Sequence, residues 1–331
     1  MTVHKIALVG AGNISRTHLT SYARHPDRVQ VVAACDPLAE RRDWVRDTFG
    51  VERTYESVGQ LIDAGGWDVA VVCTPSHVRT SAVLELAATG KPIFVEKPLS
   101  FDLADARTIV DACAAGGSRI AVNQNFRDSY AFGLGRELIE QGEIGDVLAI
   151  SQQELTFRQD KGWRLDQQHH ALSVMGIHWF DGFRVLLGRE ATWLSAHTFS
   201  SPAVDAAGET DASVQIFFGD IPVTYVQSFS SRLERTETVV IGTTGTLQLG
   251  YAEALLHRDG ETKTIPNPLV GSERSEAMFL GLDRLLTAVE TGTEPANSGR
   301  DNLHTVALLD AAYRSADSGA PISFKDGFPW S

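Results

Sequence analysis

The sequence predicts an α/β amino-terminal domain with a doubly wound parallel sheet, followed by an α+β domain with a large, mainly antiparallel open sheet. Three observations carry this. An apolar run near the start breaks into a glycine-rich turn; apolar runs and helical stretches then alternate up to about residue 123; closely spaced alternating strands follow with little helix between them. The run at residues 5–9 suits a buried parallel strand. Gly10-Ala11-Gly12-Asn13-Ile14-Ser15 comes next, and Ile14, His18, Leu19 and Tyr22 recur at helical spacing. Strand, Gly-x-Gly and helix together let a dinucleotide pyrophosphate sit on backbone N–H groups at a helix N-terminus, with Asn13 and Ile14 just inside it. Gly10 permits the tight turn and Gly12 a close approach to phosphate, while Ser15 stands where the third glycine of that fingerprint is expected.

The second strand, Val29–Cys35, ends in Asp36. An acid about 20 residues beyond the turn accepts the ribose hydroxyls of NAD. The competing reading is an Asp capping a helix that starts near Pro37; turn and acid within one βαβ unit favour the cofactor. Helices follow at 38–49, stopped by Gly50, and at 56–64, closed by Gly65-Gly66. The third strand, 69–73, runs into Thr74-Pro75-Ser76-His77, and a helix with Val83, Leu84, Leu86 and Ala87 inward stops at Gly90. The strand at 92–95 ends at Glu96-Lys97-Pro98, a helix spans about 102–115, and the strand at 119–122 completes five. Ligands bind beyond the carboxyl ends of such strands, which brings Asn13, Asp36, Thr74, Pro75, His77, Glu96, Lys97 and Asn125 together. This Rossmann domain is expected over residues 1–123, with a substrate-binding and oligomerisation domain over 124–331. In the latter, helices are expected at about 129–141, 172–187, 275–291 and 300–315, a long strand up to 157, a polar connector at 158–170, and a hairpin turn at Thr243-Thr244-Gly245.

Composition narrows the function. At 331 residues two domains are the default, and 43% hydrophobic with 21% charged residues is ordinary for a globular protein. A formal charge of −13 with no basic patch argues against nucleic acid, and no apolar stretch is long enough to span a bilayer. Cys35, Cys73 and Cys113 lack metal-ligand spacing and read as buried free thiols, so no metal is expected. The chain enters a strand almost at once, without a signal peptide, and the expected location is the cytoplasm.

The chain resembles the Gfo/Idh/MocA oxidoreductases, of the glucose-fructose oxidoreductase and inositol dehydrogenase type. The resemblance rests on Gly10-Ala11-Gly12-Asn13-Ile14, Cys73-Thr74-Pro75 with His77, Glu96-Lys97-Pro98-Leu99, Asn125-Phe126-Arg127, Gly145-Asp146-Val147, Trp163-Arg164 and Gly176-Ile177-His178-Trp179-Phe180-Asp181. It implies an NAD(P)-dependent enzyme acting on a small-molecule polyol: a sugar, a cyclitol or a related secondary alcohol. Lys97, beyond a strand end, would stabilise the alkoxide that forms as hydride leaves; without the resemblance, a surface lysine paired with Glu96 fits equally. His178, otherwise a core histidine on an apolar helix, would be the base. Arg127, Trp163, Arg164 and His170 are the further substrate-binding candidates, Asn125 and Arg127 fitting a pocket rim or a structural turn alike. One departure stands out. The family often has an Asp one turn before the histidine, where this chain has Val174; His169 or His170 would substitute, or Lys97 and His178 would suffice. The alternatives to a polyol dehydrogenase are a redox-neutral NAD-dependent lyase or glycosidase of the same fold, and a cofactor-binding sensor without turnover. Asp36 points to NAD rather than NADP, with Arg41 and Arg42 able to face solvent from the helix. Strands at 214–218 and 223–226, apolar on both faces, and the family's open sheet point to a homodimer or homotetramer.

Overall fold

In the computed structural model, which describes residues 2–324, the amino-terminal alternation closes into one parallel sheet. Its strands are β1 (His4–Val9), β2 (Val29–Cys35), β3 (Arg53–Tyr55), β4 (Val69–Val72), β5 (Ile93–Glu96) and β6 (Ile120–Asn123), in the order β3-β2-β1-β4-β5-β6. Ile6, Leu8, Ile93, Phe94 and Val95 are wholly buried, as near-continuous apolar runs require of a sheet covered on both faces. The helices between them are α1 (Asn13–Tyr22), α2 (Ala39–Phe49), α3 (Val58–Ala64), α4 (Ser76–Ala87) and α5 (Leu103–Gly116). Ser57 and Asp102 cap α3 and α5, accepting from Gln60 N–H and Asp105 N–H, and Gly50 ends α2 in the left-handed conformation. The sheet has six strands rather than five. The sixth, β3, is three half-buried residues with no apolar run to mark it.

The second sheet has nine strands: β7 (Val147–Phe157), β8 (Trp193–Phe199), β9 (Asp211–Phe218), β10 (Ile221–Ser228), β11 (Ser230–Gly242), β12 (Thr246–Leu249), β13 (Glu253–Arg258), β14 (Glu261–Pro266) and β15 (Ile322–Ser323). The order is β14-β13-β12-β11-β7-β10-β9-β8-β15, antiparallel except where β10 runs parallel to β7. Helices α6 (Tyr130–Glu140) and α7 (Ile177–Leu187) share one core with its inner face, where Phe132, Phe180 and Phe183 join Val223, Tyr225 and Leu247. Gly182 lets the two helices close on each other, since a Cβ there would meet the Phe132 ring at 2.5 Å. The outer face is more mixed than the sequence reading has it: Gln215 and Thr224 are exposed, and Phe217 and Val226 half-buried.

Two compact units result, and their limits correct the expected boundary. The first holds the residues through Asn125 together with Arg274–Val306; the second holds Phe126–Glu273 and the residues from Ala307 on. Helix α8 (Glu273–Thr291) and the start of α9 (Gly299–Ser318), expected in the second domain, thus belong almost entirely to the first. Phe279, Leu282, Leu285 and Leu286 of α8 pack with Ile6, Leu8 and Phe94, covering apolar sheet that α1 to α5 leave open.

The helix expected over 172–187 also starts differently: Leu172–Gly176 forms a π-helical turn before α7. Side chains from elsewhere in the second unit meet its first donors. Leu172 N–H goes to Glu209 Oε1 (2.9 Å) and Ser173 N–H to the Tyr313 hydroxyl (3.1 Å), which satisfies donors left open at a helix start. Among the described residues no helix is long and apolar enough to cross a membrane.

Candidate active site

In the first unit the glycine turn, Asp36, Thr74, Glu96 and Lys97 all stand at or just past the carboxyl ends of neighbouring parallel strands. Gly10 has φ of +89°, and a Cβ on it would lie 2.9 Å from Thr74 N, so this turn tolerates only glycine. Around Gly12 nothing lies within 4 Å of a would-be Cβ, and no side chain caps α1 behind it. Asn13 is exposed and Ile14 half-buried in the first turn. Asp36 is buried and takes Ala11 N–H (2.9 Å) on Oδ2 and Leu38 N–H (3.0 Å) on Oδ1. It therefore braces both the glycine turn and the approach to α2, and a carboxylate has lone pairs left for hydroxyls. The Thr74 hydroxyl has no partner among the described residues. Open backbone donors, a buried acid and an unsatisfied hydroxyl fit a dinucleotide.

Arg42 does not face solvent as expected: it donates to the Asp36 and Pro37 carbonyls and to Glu56, while Arg41, its side chain 43% exposed, has Nη1 3.5 Å from Asp36 Oδ2. The Asp36 and Pro37 carbonyls past β2 draw Arg42 back toward the strand end, and the Asp36 carboxylate attracts Arg41.

Beneath Lys97 is a polar network that sequence reasoning missed. His18, wholly buried on α1, places Nε2 2.6 Å from Glu96 Oε1 and Nδ1 2.9 Å from the Tyr22 hydroxyl. Asn123, at the end of β6, donates to the same Glu96 oxygen at 2.6 Å. Burial by itself would raise the Glu96 carboxyl, but His18, Asn123 and the nearby Lys97 ammonium outweigh it and hold it below its ordinary value. Burial likewise opposes charge on His18, yet Cys73 and Glu96 raise its pKa from 6.5 to about 10. Buried Arg79 on α4 donates Nη2 to the Thr74 carbonyl (2.7 Å) and Nη1 to that of Pro98, joining the two strand-end turns. The clue was a His and an Arg on the apolar faces of α1 and α4, where a charge must find a partner. His77 is exposed in the first turn of α4, Pro75 precedes that helix, and Asn125 is buried at the unit's end.

In the second unit His178 is 5% exposed on α7, its ring stacked on Phe126 at 4.1 Å. Arg127 is tied to α7: its Nε donates to Asp181 Oδ2 at 2.8 Å and its Nη2 to Oδ1, both residues being buried. Val174 packs with Ala171, Met175 and Phe229 in a small apolar cluster. His169 stacks on Tyr313 at 3.7 Å. His170 is wholly buried, with Nε2 2.9 Å from Asp160 Oδ2. Trp163 is 37% exposed, and the Arg164 guanidinium lies 5.3 Å from its ring.

A glycine turn, a buried acid at the next strand end and a lysine two strands away mark a dinucleotide-binding protein with a polar group beside the cofactor site. Comparison with known proteins is specific. Residues 4–124 match the oxidoreductase family with an NAD-binding Rossmann fold, and residues 134–248 match the GFO/IDH/MocA C-terminal domain. The chain is 32% identical to a D-apiose dehydrogenase of Paraburkholderia graminis, over 97% of this chain and 90% of that protein. It is 28% identical to an inositol 2-dehydrogenase of Rhizobium meliloti, over 98% and 99%. An oxidoreductase from Agrobacterium radiobacter, solved with NAD+, L-tartaric acid and magnesium, superposes with a TM-score of 0.90 at 24% identity, covering 98% of this chain and 99% of that one. The chain belongs to the Gfo/Idh/MocA family and is an NAD-dependent oxidoreductase acting on CH–OH groups.

Proposed function

We propose that the chain oxidises a secondary alcohol of a sugar, cyclitol or related polyol, with Lys97 and His178 as its catalytic residues. The observation that carries the reading is Lys97 at the end of β5, directly after a carboxylate held in the interior by His18 and Asn123. The D-apiose and inositol dehydrogenases among its relatives support the substrate class. NAD, when bound, supplies the hydride acceptor. Lys97 donates to the reacting oxygen and stabilises the negative charge that develops on it; His178 takes the hydroxyl proton. Gly10, Gly12, Asn13 and Ile14 hold the pyrophosphate and Asp36 the ribose hydroxyls, with Thr74, Pro75, His77, Glu96 and Asn125 along the rest of the cofactor. Trp163 and Arg164 bind the polyol, one by its ring face and the other by its donors. Asp36 disfavours a 2′-phosphate, so NAD is preferred over NADP even with Arg41 beside it. The enzyme works in the cytoplasm as a homodimer or homotetramer.

The test is a panel of D-apiose, myo-inositol and scyllo-inositol with NAD and with NADP, followed by reduced-nicotinamide absorbance. Net NADH formation is expected. Product without any absorbance change would shift the reading to a redox-neutral lyase or glycosidase, and tight NAD binding without turnover on any carbohydrate to a sensor.

A further inference from the structure

The polar connector between β7 and the π-helical turn is a loop closed at its neck. On its outgoing arm Arg158 donates Nε to both Asp160 oxygens (3.1 and 3.2 Å) and Nη2 to Oδ1 (3.0 Å). Asp160 Oδ2 then meets Nε2 of His170 on the returning arm at 2.9 Å. His170 is wholly buried; its backbone N–H goes to Glu209 Oε2 (2.8 Å), and its ring stands edge-on to Phe229 at 5.4 Å. Arg158 covers the same Phe229 ring at 5.1 Å, so both arms grip one buried aromatic. The loop is moored along its side as well. Gln159 exchanges two hydrogen bonds with the backbone of Asp205, Ala207 N–H donates to the Leu165 carbonyl, and a Cβ on Gly208 would lie 2.5 Å from the Gln167 and Gln168 carbonyls. Trp163 and Arg164 stand between the arms, Trp163 half in solvent.

An exposed tryptophan gains little by being held unless something binds it, and here buried charge and close backbone packing hold the segment that carries it. We propose that Asp160 and His170 are positioning residues: they lock the neck of this loop and so hold Trp163 and Arg164 in place to cap the polyol. The inference rests on the polyol reading above, and it gives His170 a part other than the direct substrate contact expected from the sequence. A locked loop binds substrate without first losing loop entropy. Breaking the lock therefore weakens substrate binding, and does so only through the residues the loop presents.

The test is a double-mutant cycle of Asp160→Asn with Trp163→Ala, on whichever of D-apiose, myo-inositol or scyllo-inositol is turned over. Asp160→Asn keeps the shape and removes the charge. KM for the polyol should rise by about tenfold while kcat changes by less than about threefold, and NAD affinity by calorimetry should hold. In the Trp163→Ala background, Asp160→Asn should add almost nothing. Fully additive effects, or a fall in kcat at unchanged KM, would overturn the proposal; so would an unchanged KM for Trp163→Ala alone. His170→Gln serves as the second variant if Asp160→Asn does not fold. Hydrogen exchange needs no substrate. Amides at 161–169 should exchange faster in Asp160→Asn, and unchanged exchange refutes the lock whatever the enzyme turns over. Faster exchange in a protein that oxidises no polyol would instead refute the reading on which the inference rests.

Discussion

Glu96 on the parallel sheet and Glu154 on the mixed sheet are equally buried, each 6% exposed, yet their carboxyls are pushed in opposite directions. Burial alone raises both. At Glu96 a histidine and an asparagine, each at 2.6 Å, reverse that and keep the carboxylate charged. At Glu154 the Thr236 hydroxyl at 3.0 Å and the charge of Arg158 do not suffice, and burial pushes the group from 4.5 up to about 7. Depth does not decide ionisation in this protein; the partner does. The charged member of the pair is the one that precedes Lys97 in the chain.

The largest effect is expected from removing the partner that makes the difference. His18→Leu takes from buried Glu96 the one cation recorded in hydrogen-bond contact with it among the described residues and should cost about 3–5 kcal/mol in urea unfolding. A loss below about 1 kcal/mol would break the comparison, because Asn123 and the Lys97 charge would then suffice without His18. The pH dependence carries the same sign. His18 is raised from 6.5 to about 10 in the fold, so its contribution is fully present below 6.5 and fades as pH climbs through about 10. Stability of the wild type should decline over that range more steeply than that of His18→Leu.

Lys97→Met keeps the apolar stem and removes the ammonium. Turnover should fall by ~100-fold or more with little change in NAD affinity, as expected of a group acting mainly in the transition state. Wild-type turnover on a confirmed substrate would end the proposed mechanism.

Val174→Asp places a carboxylate among Ala171, Met175 and Phe229, whose apolar side chains offer it no hydrogen bond. It should destabilise the protein by about 2–3 kcal/mol. Higher turnover without loss of stability would mean that the second unit lacks only a carboxylate one turn before His178.

The smallest effect sharpens the other half of the comparison. Folding raises the Glu154 carboxyl from 4.5 to about 7, so the folded protein takes up a proton in that window and loses stability as pH rises through it. Glu154→Gln does not titrate. It should match the wild type near about pH 4.5 and exceed it by ~1–3 kcal/mol near about pH 8. Equal pH slopes for the two proteins would show that Glu154 stays charged.

Much of this was legible in the chain. Apolar runs ending in Gly10, Asp36, Thr74 and Glu96-Lys97 mark parallel strands and the residues beyond them, because strand burial is written in consecutive side chains. The alternation after residue 190 marks an antiparallel sheet for the same reason. Arg127 could be read two ways, since nothing nearby in sequence says that Asp181 will take its guanidinium. Helix α8 looks like any amphipathic helix, and its pattern does not name the sheet it covers.

By itself, then, the sequence determined the two sheets, the nucleotide turn, its acid and the lysine at the end of β5: periodicity and glycine punctuation are local, and they survive without any knowledge of distant contacts. Only the tertiary structure decided which buried groups carry charge and which loop is held. His18 and Glu96 are 78 positions apart and meet at 2.6 Å; Asp160 and His170 are 10 apart across a closed neck. An ion pair is set by distance through space and by the water excluded around it, and neither is recorded in residue order.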